Sequence, residues 1–128
     1  MDRVPDDVEK VANTTIDAAY KVHKIIGNNL LESAYESCLV IELKNRGLIV
    51  ENQVSFPILY EDNIIPNAYR IDLLINKCLV VELKVMDEIS PAHVSQLLTY
   101  LRFSNLRLGL IINFKKKFFG EAVRRVIR

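Results

Sequence analysis

Apolar positions recur with a helical period at the start of the chain. Val8, Val11, Ala12, Ile16, Ala19, Tyr20, His23 and Ile26 share one face of a helix predicted over residues 5–26. Pro5 suits a first turn, and Asp6, Asp7 and Glu9 suit the positive end of a helix. "GNN" at 27–29 ends it, since Gly and Asn tolerate the left-handed conformation. A second helix is predicted over 30–46, with Leu31, Ala34, Tyr35, Cys38 and Leu39 inward and Gly47 as its stop. The pattern then becomes that of strands, over 49–60, 64–76 and 78–85, with "EDN" and "NK" short enough for hairpin turns. Ser90 and Pro91 read as the N-cap and first turn of a helix that runs to about Phe103. "RLGLIIN" at 107–113 reads as a fourth strand, and a last short helix is predicted over 118–127. The order α-α-β-β-β-α-β-α predicts an α/β fold. It comprises a small mixed four-stranded sheet flanked by helices, in a single domain over 1–128.

One strand breaks its own pattern. "CLVVELKV" at 78–85 is apolar at six of eight positions, yet carries Glu82 and Lys84. Glu and Lys are seldom buried unless paired or bound to something. Alternation puts Glu82 and Lys84 on one face, opposite Leu79, Val81, Leu83 and Val85. In the preceding strand "YRIDLLI" sets Asp72 in equally apolar company. A tight turn near Asn76–Lys77 brings Asp72 across from about residue 81, so Asp72 and Glu82 converge. Two carboxylates in a partly dry site repel each other unless a cation lies between them, and oxygen ligands suit Mg²⁺ or Mn²⁺. Lys84 would then orient a water or offset charge on an oxyanion. The competing reading is an Asp72–Lys84 or Glu82–Lys84 ion pair, or charges on a solvated strand face.

Composition narrows the partners. Half of the 128 residues are hydrophobic and the net charge is +1. The charge is uneven, with eight Lys/Arg and one acid from Arg102 to Arg128. Lys115, Lys116, Lys117, Arg124 and Arg125 form a basic cluster suited to phosphates, or else the solvated face of the terminal helix. No apolar run is long enough for a membrane span. "MDRVPDDVEK" is polar and acidic, unlike a signal peptide. Two cysteines, Cys38 and Cys78, without a CxxC, predict reduced thiols and a cytoplasmic protein.

The arrangement of Asp72 with "ELK" at 82–84 resembles the PD-(D/E)xK nuclease signature, and the element order resembles its restriction-endonuclease-like core. "NLLESAYESCL" (29–39), "YRIDLLI" (69–75), "VVELK" (80–84), "HVSQLLTYL" (93–101) and "LRLGLIINF" (106–114) resemble the GxxExxY protein family within that superfamily. Asn29 stands where the naming motif has glycine, and "NFK" where "NFG" is familiar. The resemblance implies Asp72, Glu82 and the Leu83 carbonyl as metal ligands, Lys84 as the catalytic lysine, and Glu32 completing the acidic site. It implies a catalytic role for Gln96 and accessory roles for Tyr35, His93 and Tyr100. Helical spacing places His93, Gln96 and Tyr100 on one face. The bland alternatives are a first-turn acid for Glu32, a core tyrosine for Tyr35 and an ordinary first-turn residue for His93. The implied activity is metal-dependent hydrolysis of phosphodiester bonds in nucleic acid, more readily DNA, with a homodimer or a protein partner supplying substrate binding. The alternative is a non-catalytic nucleic-acid-binding or regulatory module that keeps the nuclease fold.

Overall fold

A computed structural model describes residues 3–128; Met1 and Asp2, at the head of the predicted domain, lie outside it. The chain runs α1 (Asp6–Ile26), α2 (Glu32–Asn45), β1 (Val50–Tyr60), β2 (Asn63–Ile75), β3 (Leu79–Lys84), α3 (Pro91–Ser104), β4 (Leu108–Asn113) and β5 (Val123–Ile127). The strands form one mixed sheet in the order β1-β2-β3-β4-β5. β1, β2 and β3 are an antiparallel meander, β4 is parallel to β3, and β5 returns antiparallel to β4. A parallel neighbour needs a crossover, and α3 supplies it.

The sheet separates two apolar cores. Leu79, Val81 and Leu83 of β3 pack with Leu73, Leu110 and Ile112 against α1 and α2. Val80 faces the other way and packs with Ile71, Ile111 and Val126 against Leu97 and Leu101 of α3. β3 is therefore buried on both sides, and every apolar residue in it contributes to one core or the other. The β2–β3 turn has positive φ at both Asn76 (49°) and Lys77 (53°), as tight hairpins with right-handed twist require. Gly27 takes φ 85° at the end of α1. Asn29 is not among the positive-φ residues, so the glycine of the naming motif is not needed for backbone freedom here.

The predicted helix at 118–127 is corrected. A single 3₁₀ turn, Phe119–Glu121, is followed by strand β5, giving five strands rather than four. "VRRVI" is short and rich in β-branched residues, and β4 offers it an open edge. Val126 is buried against α3 while Arg124 and Arg125 face solvent. Leu31, expected inward, is also exposed; it precedes α2 as its N-cap residue.

α3 lies close on β4 because Gly109 has no side chain. A Cβ there would come within 2.9 Å of the Leu97 methyl groups, and Leu97 is fully enclosed. Gly109→Ala is expected to destabilise the chain by about 1–3 kcal/mol through overpacking. Urea denaturation checks this; a midpoint equal to that of the unmodified chain would mean that the α3–β4 contact is looser than described.

Candidate active site

Pairing between β2 and β3 runs through Ile75↔Leu79, Leu74↔Val80 and Leu73↔Val81, and stops there. The next step in register sets Asp72 opposite Glu82, one residue from the expected partner. On the other side of β2 the ladder also skips this position: Asn52 pairs with Leu73 and Val54 with Ile71, while Gln53 between them has φ 53°. Asp72 thus sits where the backbone ladder opens on both sides. Its carboxylate takes over one ladder bond, accepting from the Leu83 N–H at 2.8 Å. That contact turns the Asp72 side chain toward β3 and fixes it beside Glu82.

Glu82 lies on the α3 face with its Oε1 buried and without a hydrogen-bond partner. Its carboxyl is within hydrogen-bonding reach of Asp72, and two carboxylates so close cannot both stay charged. Burial above all, then the Asp72 charge, pushes the Glu82 pKa from its ordinary value of 4.5 to about 9, while Lys84 pulls it down. Glu32, the first residue of α2, joins them electrostatically. Its outer flank is exposed, but burial of its carboxyl and then the Asp72 charge raise its pKa, against the pull of Lys84. Lys84 is the cation common to both carboxyls, yet it forms no ion pair among the described residues. Lys84 therefore acts on the carboxyls through space, without a contact ion pair to either.

The remaining candidates divide. The Tyr100 phenol is pushed up by burial and then by the Glu82 and Asp72 charges, so it lies within electrostatic reach of the acidic pair. Gln96, one turn earlier on α3, is exposed and lines the groove beside Tyr100. His93 is used locally: its Nδ1 accepts from the Ser90 N–H at 3.1 Å and closes the first turn of α3. Tyr35 is fully buried, stacked on Phe114 with ring centroids 4.4 Å apart, and donates its hydroxyl to the Gly27 carbonyl. It anchors the start of α2, and hence Glu32, over the end of the sheet. Within the basic cluster, Lys116 bonds Glu88 at 2.9 Å and Arg125 forms two bonds to Glu9 at 2.9 and 3.0 Å. Lys117 lies over the Phe118 ring, and Arg124 is exposed beside the α3 N-terminus.

Asn113 escaped the sequence reading. It is buried at the end of β4, in register with Lys84. Its Oδ1 accepts from the Met86 and Lys115 N–H groups, and its Nδ2 donates to the Met86 carbonyl at 2.7 Å. The Phe114 N–H donates to the Lys84 carbonyl. Together these tie down the backbone immediately after the catalytic candidates. A polar residue closing the apolar run "LGLII" was the available signal.

The arrangement is that of a small α/β nuclease-like domain: two facing carboxylates on the adjacent strands β2 and β3, a lysine two residues after the second, and a glutamate at the start of α2. The chain belongs to the PD-(D/E)XK nuclease superfamily, whose family model matches residues 9–126. Comparison with curated proteins and with solved structures gave no match. No helix of the described residues is long and apolar enough to cross a membrane.

Superfamily members generally use divalent metals. Among the described residues no group of three or more His, Cys, Asp and Glu could hold an ion by itself, so the acidic core is a pair. The pair does fit a hard cation: Glu82 Oε1 is a buried oxygen with no donor, and its partner oxygens on Asp72 are equally hard.

The proton on Glu82 has a measurable consequence. Its folded pKa lies above the unfolded value, so between about 4.5 and about 9 the folded chain holds a proton that the unfolded chain has released. This group's contribution is therefore fully present at low pH and is lost as pH rises through that window. Melting of the metal-free chain from pH 5 to 9 is expected to show it. Glu82→Gln should melt progressively higher than the unmodified chain as pH rises. Parallel melting curves for the two proteins across that range would refute this account of Glu82.

Proposed function

We propose that the chain is a divalent-metal-dependent phosphodiesterase acting on nucleic acid, with DNA as the favoured substrate and Mg²⁺ or Mn²⁺ as the ion. The observation that carries the reading is the orphaned, buried Glu82 oxygen facing Asp72, beside a lysine without a partner. Asp72, Glu82 and the Leu83 carbonyl would hold the ion. When bound, such an ion supplies Lewis-acid polarisation of the phosphate and an acidified water at neutral pH.

The chain's own groups do the rest. The Leu83 N–H holds Asp72 in place without competing for its second oxygen. Glu82 carries a proton while the pair is empty and must release it to act as a ligand, so ion binding strengthens as pH rises. The Lys84 ammonium, free of any carboxylate, stabilises charge that grows on a non-bridging phosphate oxygen. Glu32 borders the same space and is placed to accept a proton from an attacking water. Of the five clustered bases, Lys115, Lys117 and Arg124 are left without an acidic partner among the described residues and would meet the phosphate backbone. In this reading residues 1–128 act as one catalytic domain in the cytoplasm.

Cleavage of single- and double-stranded DNA and of RNA, in Mg²⁺, Mn²⁺ or EDTA, tests this directly. Asp72→Asn and Glu82→Gln are expected to remove metal-dependent cleavage while the chain stays folded. Asn keeps an acceptor for the Leu83 N–H, which Asp72→Ala would strand. Lys84→Met is expected to lower the rate by about a hundredfold or more. Mn²⁺ should raise the melting temperature of the unmodified chain and not that of Glu82→Gln. Cleavage that survives both carboxylate substitutions, or that proceeds in EDTA, would remove the proposal.

A further inference from the structure

The β1–β2 hairpin is much longer than its neighbour needs. β2 pairs with β3 only over Leu73–Ile75, so residues 63–71 pair with β1 alone and form an arm beyond the sheet. The arm leans over α3. Between them lies an open groove of about 330 Å³, lined by Ile58, Tyr69, Gln96, Tyr100 and Phe103. Ile58 and Phe103 also line an adjoining hollow of about 430 Å³ toward the tip of the arm. Both volumes fall within the range of small-ligand clefts.

The walls are flat and aromatic. Tyr69 is sandwiched between Phe56, at 5.2 Å and 10°, and Tyr100, at 4.7 Å and 13°. Phe103 continues the wall and is 44% exposed. Leu59 and Ile64 beyond it are exposed as well. Two charged groups lie near its walls. Tyr100 is within electrostatic reach of the Asp72–Glu82 pair, whose charges help raise its phenol pKa. Next to Phe103, the Arg102 guanidinium lies 5.0 Å from that ring centroid and has no carboxylate partner among the described residues.

We propose that this groove binds the unpaired bases of a single-stranded nucleic acid and leads the strand to the acidic pair. Bases present flat π faces for Tyr100 and Phe103, Gln96 offers donors and acceptors to their edges, and Arg102 meets a phosphate. A duplex hides those base faces in its own stack and is held mainly by dense positive charge. Here Lys116 and Arg125, two of the five clustered bases, are already bonded to Glu88 and Glu9. Stacking, not charge, is what this surface has to give. The direction of the strand toward the acidic pair rests on the phosphodiesterase reading; binding of bases in the groove does not.

Binding is measured separately from cleavage, on the full chain in EDTA, by fluorescence anisotropy. The probes are labelled 12-mers of thymidylate and of uridylate, a 12-base-pair DNA duplex, and an abasic 12-mer with the same backbone charge. Thymidylate or uridylate is expected to bind more tightly than the duplex and the abasic strand, and the preference between the two assigns DNA or RNA. Phe103→Ala should weaken single-strand binding about fivefold or more, the usual loss for one stacking partner. Ala68 is exposed and also lines the groove, so Ala68→Trp should fill it and weaken binding too, with circular dichroism unchanged. An abasic strand that binds as well as thymidylate overturns the proposal. So does undiminished binding by folded Phe103→Ala. So does a change in oligomeric state on Phe103→Ala with strand affinity intact, which would mark the groove as a protein contact. Base-dependent binding without any metal-dependent cleavage would sink the phosphodiesterase reading alone. Cleavage with base-independent binding would sink only the groove.

Discussion

The bond from the Leu83 N–H to Asp72 Oδ2 stands at the point where a β-ladder stops and a site begins. An unpaired backbone donor inside a buried sheet costs free energy comparable to a lost hydrogen bond. Here β2 and β3 part after Leu73↔Val81, and a side chain takes the place of a backbone carbonyl. That substitution has two effects. It satisfies Leu83, whose own side chain is locked in the core below α1 and α2. It also commits Asp72 to the neighbourhood of Glu82, where solvation alone would draw a carboxylate outward. The apolar residues of β3 hold the frame, and the divergence of the strands makes room for charge within it.

Much of that frame is legible locally. The apolar stripe of α1, the Ser90–Pro91 start of α3 and the alternation in "CLVVELKV" are short-range patterns, and each element lies within about two residues of its expected bounds. The hairpin turn at Asn76–Lys77 sets the register, and a turn of that length is enough to bring Asp72 and Glu82 face to face. β5 was missed for the opposite reason. "EAVRRVIR" contains enough helix-compatible residues to read either way, and only the unpaired edge of β4 decides. The site divides along the same line. Glu82 and Lys84 are conspicuous because their neighbours are apolar. The roles of His93, Tyr35 and Asn113 depend on partners that are distant in space or on local cap geometry, and no spacing rule distinguishes those from catalysis. Family resemblance put Tyr35 and His93 near the chemistry; the geometry gives Tyr35 a stacking partner and a carbonyl, and His93 a helix start.

Charge in the site follows from burial. Lys84 lowers the cost of two nearby carboxylates but does not neutralise either, because it pairs with neither at contact distance. The residual cost appears as a proton retained on Glu82. A proton and a hard cation are interchangeable answers to the same electrostatic problem, one satisfying a single oxygen, the other able to satisfy several at once. Replacing either carboxylate by an amide removes that electrostatic problem. A site designed only for stability would hold neither acid.

The same trade shapes the surface around the pair. Basic residues that would draw in a polyanion are partly tied to acids on α1 and on the loop before α3, which holds those segments together but dilutes the field. An acidic pair repels phosphate until a cation is present, so under the proposed function approach of a substrate would have to be favoured by something other than long-range charge. Ring faces do this without regard to ionic strength or sequence. They work only at contact, however, and so must lie within a nucleotide or two of the reacting bond. In the proposed reading the stack of Phe56, Tyr69 and Tyr100 would serve that need: the Tyr100 ring packs against Tyr69, and its phenol lies within electrostatic reach of Glu82 and Asp72. Tyr69 reaches that position near the base of the β1–β2 arm, where it pairs with Phe56.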